Sequence, residues 1–308
     1  MYWISKFCVV LGLVVPCSSM LSEPATARFP TVVLELEKSW RLDSKVGRFD
    51  ASGIERGPDG ELLVVRDSEL AVYAVRFEKD SDVAALVKHA RYSVDKRKLD
   101  VGVRRFDVEG LAIDAKGVLH ACDEHARRIL RFSSRGRIES IPMDLSSVES
   151  FFSKQDRNAS FEGIAIGGGR LFLANERSRG RLIEFDLASM TVRGSFTFRT
   201  GATVWPDTHF SGLDWYDGKL FALLREEQAI AEIDPESKKI TQLLRYHEIE
   251  FDKEFRYRAL VPFFGVMEGL LVEGDVFWLL ADNNGQALYA DPSDSRASLF
   301  KCRLRTQD

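Results

Sequence analysis

Residues Phe161 to Arg177 read FEGIAIGGGRLFLANER. A Glu-Gly pair opens the stretch, a short apolar run follows, three glycines turn the chain, and a second apolar run ends on Glu176. Glycine reaches positive φ without a Cβ clash, so the centre reads as a hairpin turn between two strands. The second strand, LFLA, is apolar at successive positions, which means cover on both faces.

This stretch decides the fold because it recurs. ASGIERGPDGELLVVRD from Ala51, VEGLAIDAKGVLHACDE from Val108, FSGLDWYDGKLFALLRE from Phe210 and MEGLLVEGDVFWLLADN from Met267 align with it on a glycine followed by an aliphatic residue. The aligned glycines, Gly53, Gly110, Gly163, Gly212 and Gly269, lie about 50 to 57 residues apart, a propeller-like period. Two further strand-like runs follow each hairpin. The third-strand candidates are AVYAVRF, RILRF, RLIEFDL, AIAEID and ALYAD. The fourth are AALVKHARY, RIESIPM, TVRGSFTF, ITQLLRY and ASLFKCRL. These runs alternate and carry charge, as outer strands do. The expectation is an all-β β-propeller of four-stranded blades, with five blades preferred and six left open. TVVLELEKSWRL, from Thr31 to Leu42, is left over. It pairs with the last blade to close the ring, or starts a sixth blade whose remainder lies around Ser93 to Phe106 and Tyr246 to Val266.

The bulk composition fits one globular domain over residues 28–308. Of the 308 residues, 45% are apolar and 29% charged, with a net charge of -4. That balance excludes a basic nucleic-acid surface and a disordered tail. MYWISKFCVVLGLVVPC carries one lysine before an apolar run too short to span a bilayer, and Ala25-Thr26-Ala27 fits a signal-peptidase site. The first 27 residues therefore read as a signal peptide, with a short anchor or a lipid on Cys17 as the alternatives. The expected location is periplasmic or secreted, with no transmembrane span after signal removal. Cys122 and Cys302 remain, too few and too far apart for a disulfide framework or a zinc ribbon, and read as buried thiols.

In a propeller the start of the first strand and the end of the second share one face of the disc. Ser52, Glu109, Glu162, Ser211 and Glu268 stand before the glycines. Asp67, Asp123 with Glu124, Glu176, Glu226 and Asp282 stand 14 or 15 residues later. The fold would gather these acids around one mouth, where like charges raise one another's pKa or recruit a cation. A ring of hard oxygen donors suits calcium. Glu109, Glu162, Glu268, Asp123 and Asp282 are the candidate metal ligands. Arg66, Arg177 and Arg225, beside the acids, are candidates to bind a small anionic ligand or substrate. Glu176 is a candidate general base and His209, two residues before Ser211, a candidate catalytic histidine. A strand-end acid equally serves as a turn acceptor or an arginine partner.

The Glu-Gly-aliphatic repeats and the final MEGLLVEGDVFWLLADNNG resemble the bacterial phytase-like family known as "esterase-like activity of phytase". The resemblance runs from about Asp50 to Gln286 and rests on the order of the motifs; the chain departs from it at Ser52 and Ser211. It implies an exported propeller that hydrolyses phosphate or other esters. Gluconolactonase-like propellers are the neighbouring alternative and imply lactone hydrolysis by a metal-activated water. A propeller that only binds a ligand or a protein partner is the alternative from a different class.

Overall fold

A computed structural model describes residues 29–45, 47–92, 106–133, 137–153, 159–176, 180–200, 208–258 and 265–305. The chain starts with a long strand, β1 (Thr31–Ser44), and continues in antiparallel sets. The first set is β2 (Ala51–Arg56), β3 (Leu62–Arg66), β4 (Glu69–Phe77) and β5 (Val83–Lys88). The second is β6 (Val108–Ile113), β7 (Leu119–Asp123), β8 (Arg128–Phe132) and β9 (Ile138–Ile141). The third is β10 (Phe161–Gly167), β11 (Arg170–Asn175), β12 (Arg181–Asp186) and β13 (Val192–Phe196). The fourth is β14 (Phe210–Tyr216), β15 (Lys219–Leu224), β16 (Ala229–Asp234) and β17 (Lys239–Arg245). One helical turn, α1 (His247–Glu250), precedes β18 (Met267–Glu273), β19 (Val276–Ala281) and β20 (Ser298–Leu304).

The last set takes its fourth strand from the other end of the chain. β1 pairs antiparallel with β20, from Leu34–Leu304 to Arg41–Ser298. Its two ends add short parallel pairings to β17 and β5, the edge strands of the neighbouring sets. The leftover N-terminal segment therefore joins the last blade. ALYAD, the expected third strand there, is instead irregular backbone with one isolated bridge at Leu288, and ASLFKCRL, the expected fourth, supplies the third strand, β20. The reason is that β1 already occupies the outer position. Much of the stretch around Ser93 to Phe106 and part of Tyr246 to Val266 lie outside the described residues.

The inner strands β2, β6, β10, β14 and β18 pack on one another in turn, and β18 packs back on β2. The aligned glycines make that ring possible. A Cβ on Gly163 would stand 2.9 Å from the Leu213 nitrogen in the next inner strand, and one on Gly269 would stand 2.9 Å from the Ser52 carbonyl oxygen. No side chain fits where backbones meet this closely, and an added methyl there costs about 1–3 kcal/mol. The core lies as layers between successive sheets. Leu171 and Leu173 of β11 pack toward the second set, while Phe172 and Ala174 pack toward the fourth. The doubly apolar second strands thus serve two layers each. Cys122 and Cys302 are buried free thiols. Among the described residues no helix is long and apolar enough to cross a membrane.

Candidate functional site

Every inner strand starts with a break in its register. Val108 faces Asp123 and Gly110 faces Cys122, which leaves Glu109 as an extra residue. Phe161–Asn175 followed by Gly163–Ala174 leaves Glu162, and Met267–Ala281 followed by Gly269–Leu280 leaves Glu268. Shifts at the same place span Ser52 and Ser211. A bulge re-aims the side chain of the residue it inserts.

Backbone hydrogen bonds fix the equivalent positions above the bulges. The N–H groups of Asp67, Glu124, Glu176, Arg225 and Asp282 bond to the carbonyls of Asp50, Asp107, Ser160, His209 and Val266, at 2.7 to 3.3 Å. The strand-end position is therefore held by Glu124 rather than Asp123 in the second set, and by Arg225 rather than Glu226 in the fourth. One ring member is a cation.

The acids meet in two groups that share Glu124. Carboxylate oxygens of Asp107, Glu109 and Glu124 lie within 4.8 Å of one another, and so do those of Glu124, Glu162 and Glu176. Glu124 Oε1 also accepts the Ser160 N–H at 3.0 Å. Burial pushes Glu109 well above the ordinary carboxylate range, with Glu124, Asp107, Asp67 and Glu268 adding to it. Glu162 is raised likewise by burial and by Glu109, Glu124 and Glu268, against the pull of Arg225. Oxygen donors this close, and this costly to ionise together, could hold a metal ion.

Beside these groups stands Arg225, buried at 5% exposure. Its Nη2 donates to Glu176 Oε1, its Nη1 donates to Glu268 Oε1 at 2.6 Å, and its Nε lies 3.6 Å from Glu226 Oε1. Burial disfavours its charge, but Glu268, Glu226 and Glu162 outweigh that and hold its pKa above the ordinary value. His209 Nδ1 lies 3.1 Å from Glu226 Oε1. Glu250 of α1 reaches the same region. Its Oε1 accepts the Val266 N–H at 3.1 Å, and burial, aided by Glu226, pushes its pKa up to about 8.

The structure brings Glu109, Glu162 and Glu176 together and links Glu268 to them through Arg225. Asp123 stands outside the two groups. Its Oδ2 accepts from Arg128 Nε at 2.8 Å, and its Oδ1 accepts the Ala126 and Asp107 N–H groups at 3.3 and 3.4 Å. Asp282 is also outside them; its Oδ1 accepts the Asn284 N–H, and burial, with Glu268, Asp50 and Asp67, lifts its pKa to about 8. Arg66 donates to the Arg48 carbonyl and the Ser68 hydroxyl. Arg177 lies outside the described residues. Ser211 does not face His209 as a nucleophile, because its hydroxyl donates to the Met267 carbonyl at 2.8 Å. Sequence reasoning passed over Asp107 and Glu250. Asp107 had a signal, since it stands two residues before Glu109, as Asp50 stands before Ser52 and His209 before Ser211. Glu250 had none, lying between repeats.

Comparison with known proteins agrees with this ring. The profile of a phytase-like family, described as esterase-like activity of phytase, matches residues 45–285. No curated protein sequence matches the chain. Among solved structures, a glutaminyl cyclase from Myxococcus xanthus is 12% identical, with a TM-score of 0.60 over 91% of this chain and 100% of that one. A PQQ-bound aldose sugar dehydrogenase from Streptomyces coelicolor is 11% identical, with a TM-score of 0.46 over 88% and 98% of the two chains. A virginiamycin B lyase from Staphylococcus aureus is 13% identical, with a TM-score of 0.44 over 89% and 75%. The likeness to the cyclase shows a shared β-propeller fold.

Proposed function

The chain belongs to the phytase-like family, and from that premise we propose that its acidic mouth binds a divalent cation, calcium in the first place, and hydrolyses phosphate or other esters. One observation carries the reading: Glu124 belongs to two groups of three acids, with all ligand atoms in each group within 4.8 Å. Six to eight flexible oxygen donors suit calcium better than the strict octahedron of magnesium. The donor set contains no thiolate or imidazole, as a hard cation prefers.

Glu109, Glu124 and Glu162 would hold the ion, with Asp107 completing its oxygen shell. A cation bound there would polarise an ester oxygen and acidify a bound water. Glu176 is the assigned general base, oriented by Arg225 through one of its oxygens. The remaining oxygen of that carboxylate would take the proton. His209, backed by Glu226, would pass a proton to the leaving alcohol. Arg225 sets the position of Glu176 and Glu268, and this role replaces direct capture of the substrate.

A second reading rests on the same arginine. Arg225 engages Glu176 and Glu268 together, so the proposed base is tied to a second acid of the ring. A ring braced in this way would suit a propeller that binds without turnover. Export belongs to the proposal as well, with residues 1–27 as the leader; the N-terminal sequence of the mature protein tests it.

The deciding experiment is a panel of p-nitrophenyl esters, p-nitrophenyl phosphates and lactones, assayed after chelation and after calcium is restored. Calcium-dependent turnover that is lost in Glu124→Gln supports the hydrolase. Calorimetric calcium binding without turnover of any substrate supports the binding ring. No calcium binding at millimolar concentration overturns both.

A further inference from the structure

The segment between β17 and β18 carries a second feature on the face of the ring that bears the mouth. After α1 the chain pairs with the loop following β19 through one antiparallel bridge, Tyr257 to Leu288. The Arg258 N–H bonds to the Ala287 carbonyl at 2.9 Å, and the Tyr289 N–H to the Arg256 carbonyl at 3.0 Å. Successive side chains on extended backbone point to opposite sides. Tyr257 and Leu288 point inward, each 3% exposed, and the Tyr257 hydroxyl donates to the Arg296 carbonyl at 2.7 Å. Arg256, Arg258 and Tyr289 are left on the outer side, where Tyr289 is 53% exposed.

The three side chains are stacked. The Arg256 guanidinium lies 5.1 Å from the Tyr289 ring centre and 5.2 Å from that of Phe251, while Arg258 lies 5.8 Å from Tyr289. A guanidinium that stacks on a ring through its face keeps its N–H edge for an oxyanion. Among the described residues no carboxylate lies within ion-pair distance of Arg256, Arg258 or Lys253. The nearby arginines differ. Arg41 and Arg296 pair with Asp294, and Arg305 pairs with Glu35 and Glu248. Phe251, Lys253, Arg256 and Tyr289 line a groove of about 480 Å³, with Glu254 as its one acid.

We infer that this groove is an oxyanion subsite in which Arg256 and Lys253, joined by Arg258 from its stack on the Tyr289 ring at the groove wall, take the phosphoryl group of a small phosphate monoester. Two planar forks and an ammonium match a dianion with three equivalent oxygens better than a carboxylate. Glu254 opposes the bound charge and limits affinity. The subsite needs no cation in the channel, so it stands or falls separately from the hydrolase reading.

The test uses phenyl phosphate as probe, titrated calorimetrically into the full-length protein after chelation, at low salt and mildly alkaline pH. Benzoate and phenyl sulfate are the comparison probes. Saturable binding of phenyl phosphate, tighter than that of either monoanion, is expected. The double variant Arg256→Gln with Arg258→Gln should weaken it by about tenfold or more, since charge-assisted forks dominate the contact. Glu254→Gln should tighten it. These side chains are exposed, and near-ultraviolet circular dichroism confirms that the variants fold. Equal affinity in the double variant, no preference over phenyl sulfate, or no saturable binding overturns the proposal.

Discussion

The two ends of the central channel are both lined with carboxylates on inner strands, yet they differ in what opposes those charges. At the far end, Glu55 Oε2 accepts the Ile113 N–H at 3.1 Å, and Asp214 Oδ2 accepts the Val272 N–H at 2.6 Å. Each acid reaches from its own inner strand to the backbone of the next. At the mouth, Glu109 and Glu162 face other carboxylates. Residue type is the same at both ends and so is burial. Like charge raises acids at both ends, since Glu55 also feels Asp214. The difference is that Glu55 and Asp214 act as clamps on the backbone of the next blade, whereas Glu109 and Glu162 stand in groups of three acids that could hold a metal ion.

The largest effect that would break this contrast comes from Arg225, the cation that balances part of the mouth. Arg225→Met should cost about 3–5 kcal/mol in urea denaturation, because the buried Glu176 and the partly buried Glu268 both lose their partner. An unchanged urea midpoint would mean that these acids are protonated or hydrated without it.

Calcium should separate the two ends next. At a hundredfold excess over its dissociation constant, calcium should stabilise the protein by about 2.7 kcal/mol, read as a raised Tm. Glu124→Gln should remove most of that gain, since Glu124 serves both acid groups. Glu55→Gln should retain it. A loss of equal size in both variants would erase the distinction between ligand and clamp.

A smaller effect belongs to the far end alone. Burial pushes Asp214 up to about 7 in the folded chain. A raised carboxyl pKa contributes stability that is full below its unfolded value, about 3.9, and lost as pH rises through the folded value. Asp214→Asn removes that dependence and also gives up one of two backbone bonds, to Trp215 or to Val272, at a cost of about 1 kcal/mol. The variant should be the less stable protein at pH 5, and its deficit should shrink or reverse at pH 8, compared by urea midpoints under chelation. A constant deficit would show that Asp214 stays ionised throughout.

The smallest effect is expected at Arg66. Its bonds go to the Arg48 carbonyl, just before the first set, and to the Ser68 hydroxyl within it. Arg66→Gln should change stability by less than about 0.5 kcal/mol and leave calcium affinity untouched. A clear loss of affinity would extend the site to the first blade.

Much of this was legible in the chain itself. The repeated glycine, the turn residues and the doubly apolar second strand defined the blade and its period, because close packing allows few residues at such points. Glu109, Glu162 and Glu268 stood out for the same reason, as acids at a repeated place in an apolar pattern. Less was legible at the strand ends. Asp123 and Glu124 are adjacent and chemically alike, and only the bond from the Glu124 N–H to the Asp107 carbonyl shows which of them turns toward the mouth.

The sequence by itself determined the all-β repeat, the ring of glycines and the acids that precede them, since these follow from sterics and patterning along the chain. The tertiary structure alone decided the rest. It inserted a bulge at each inner strand, put a guanidinium where the fourth acid was expected, and gave the last blade its outer strand from the far end of the chain. Those outcomes depend on which backbone groups find each other across blades, and that information lies between residues far apart in sequence.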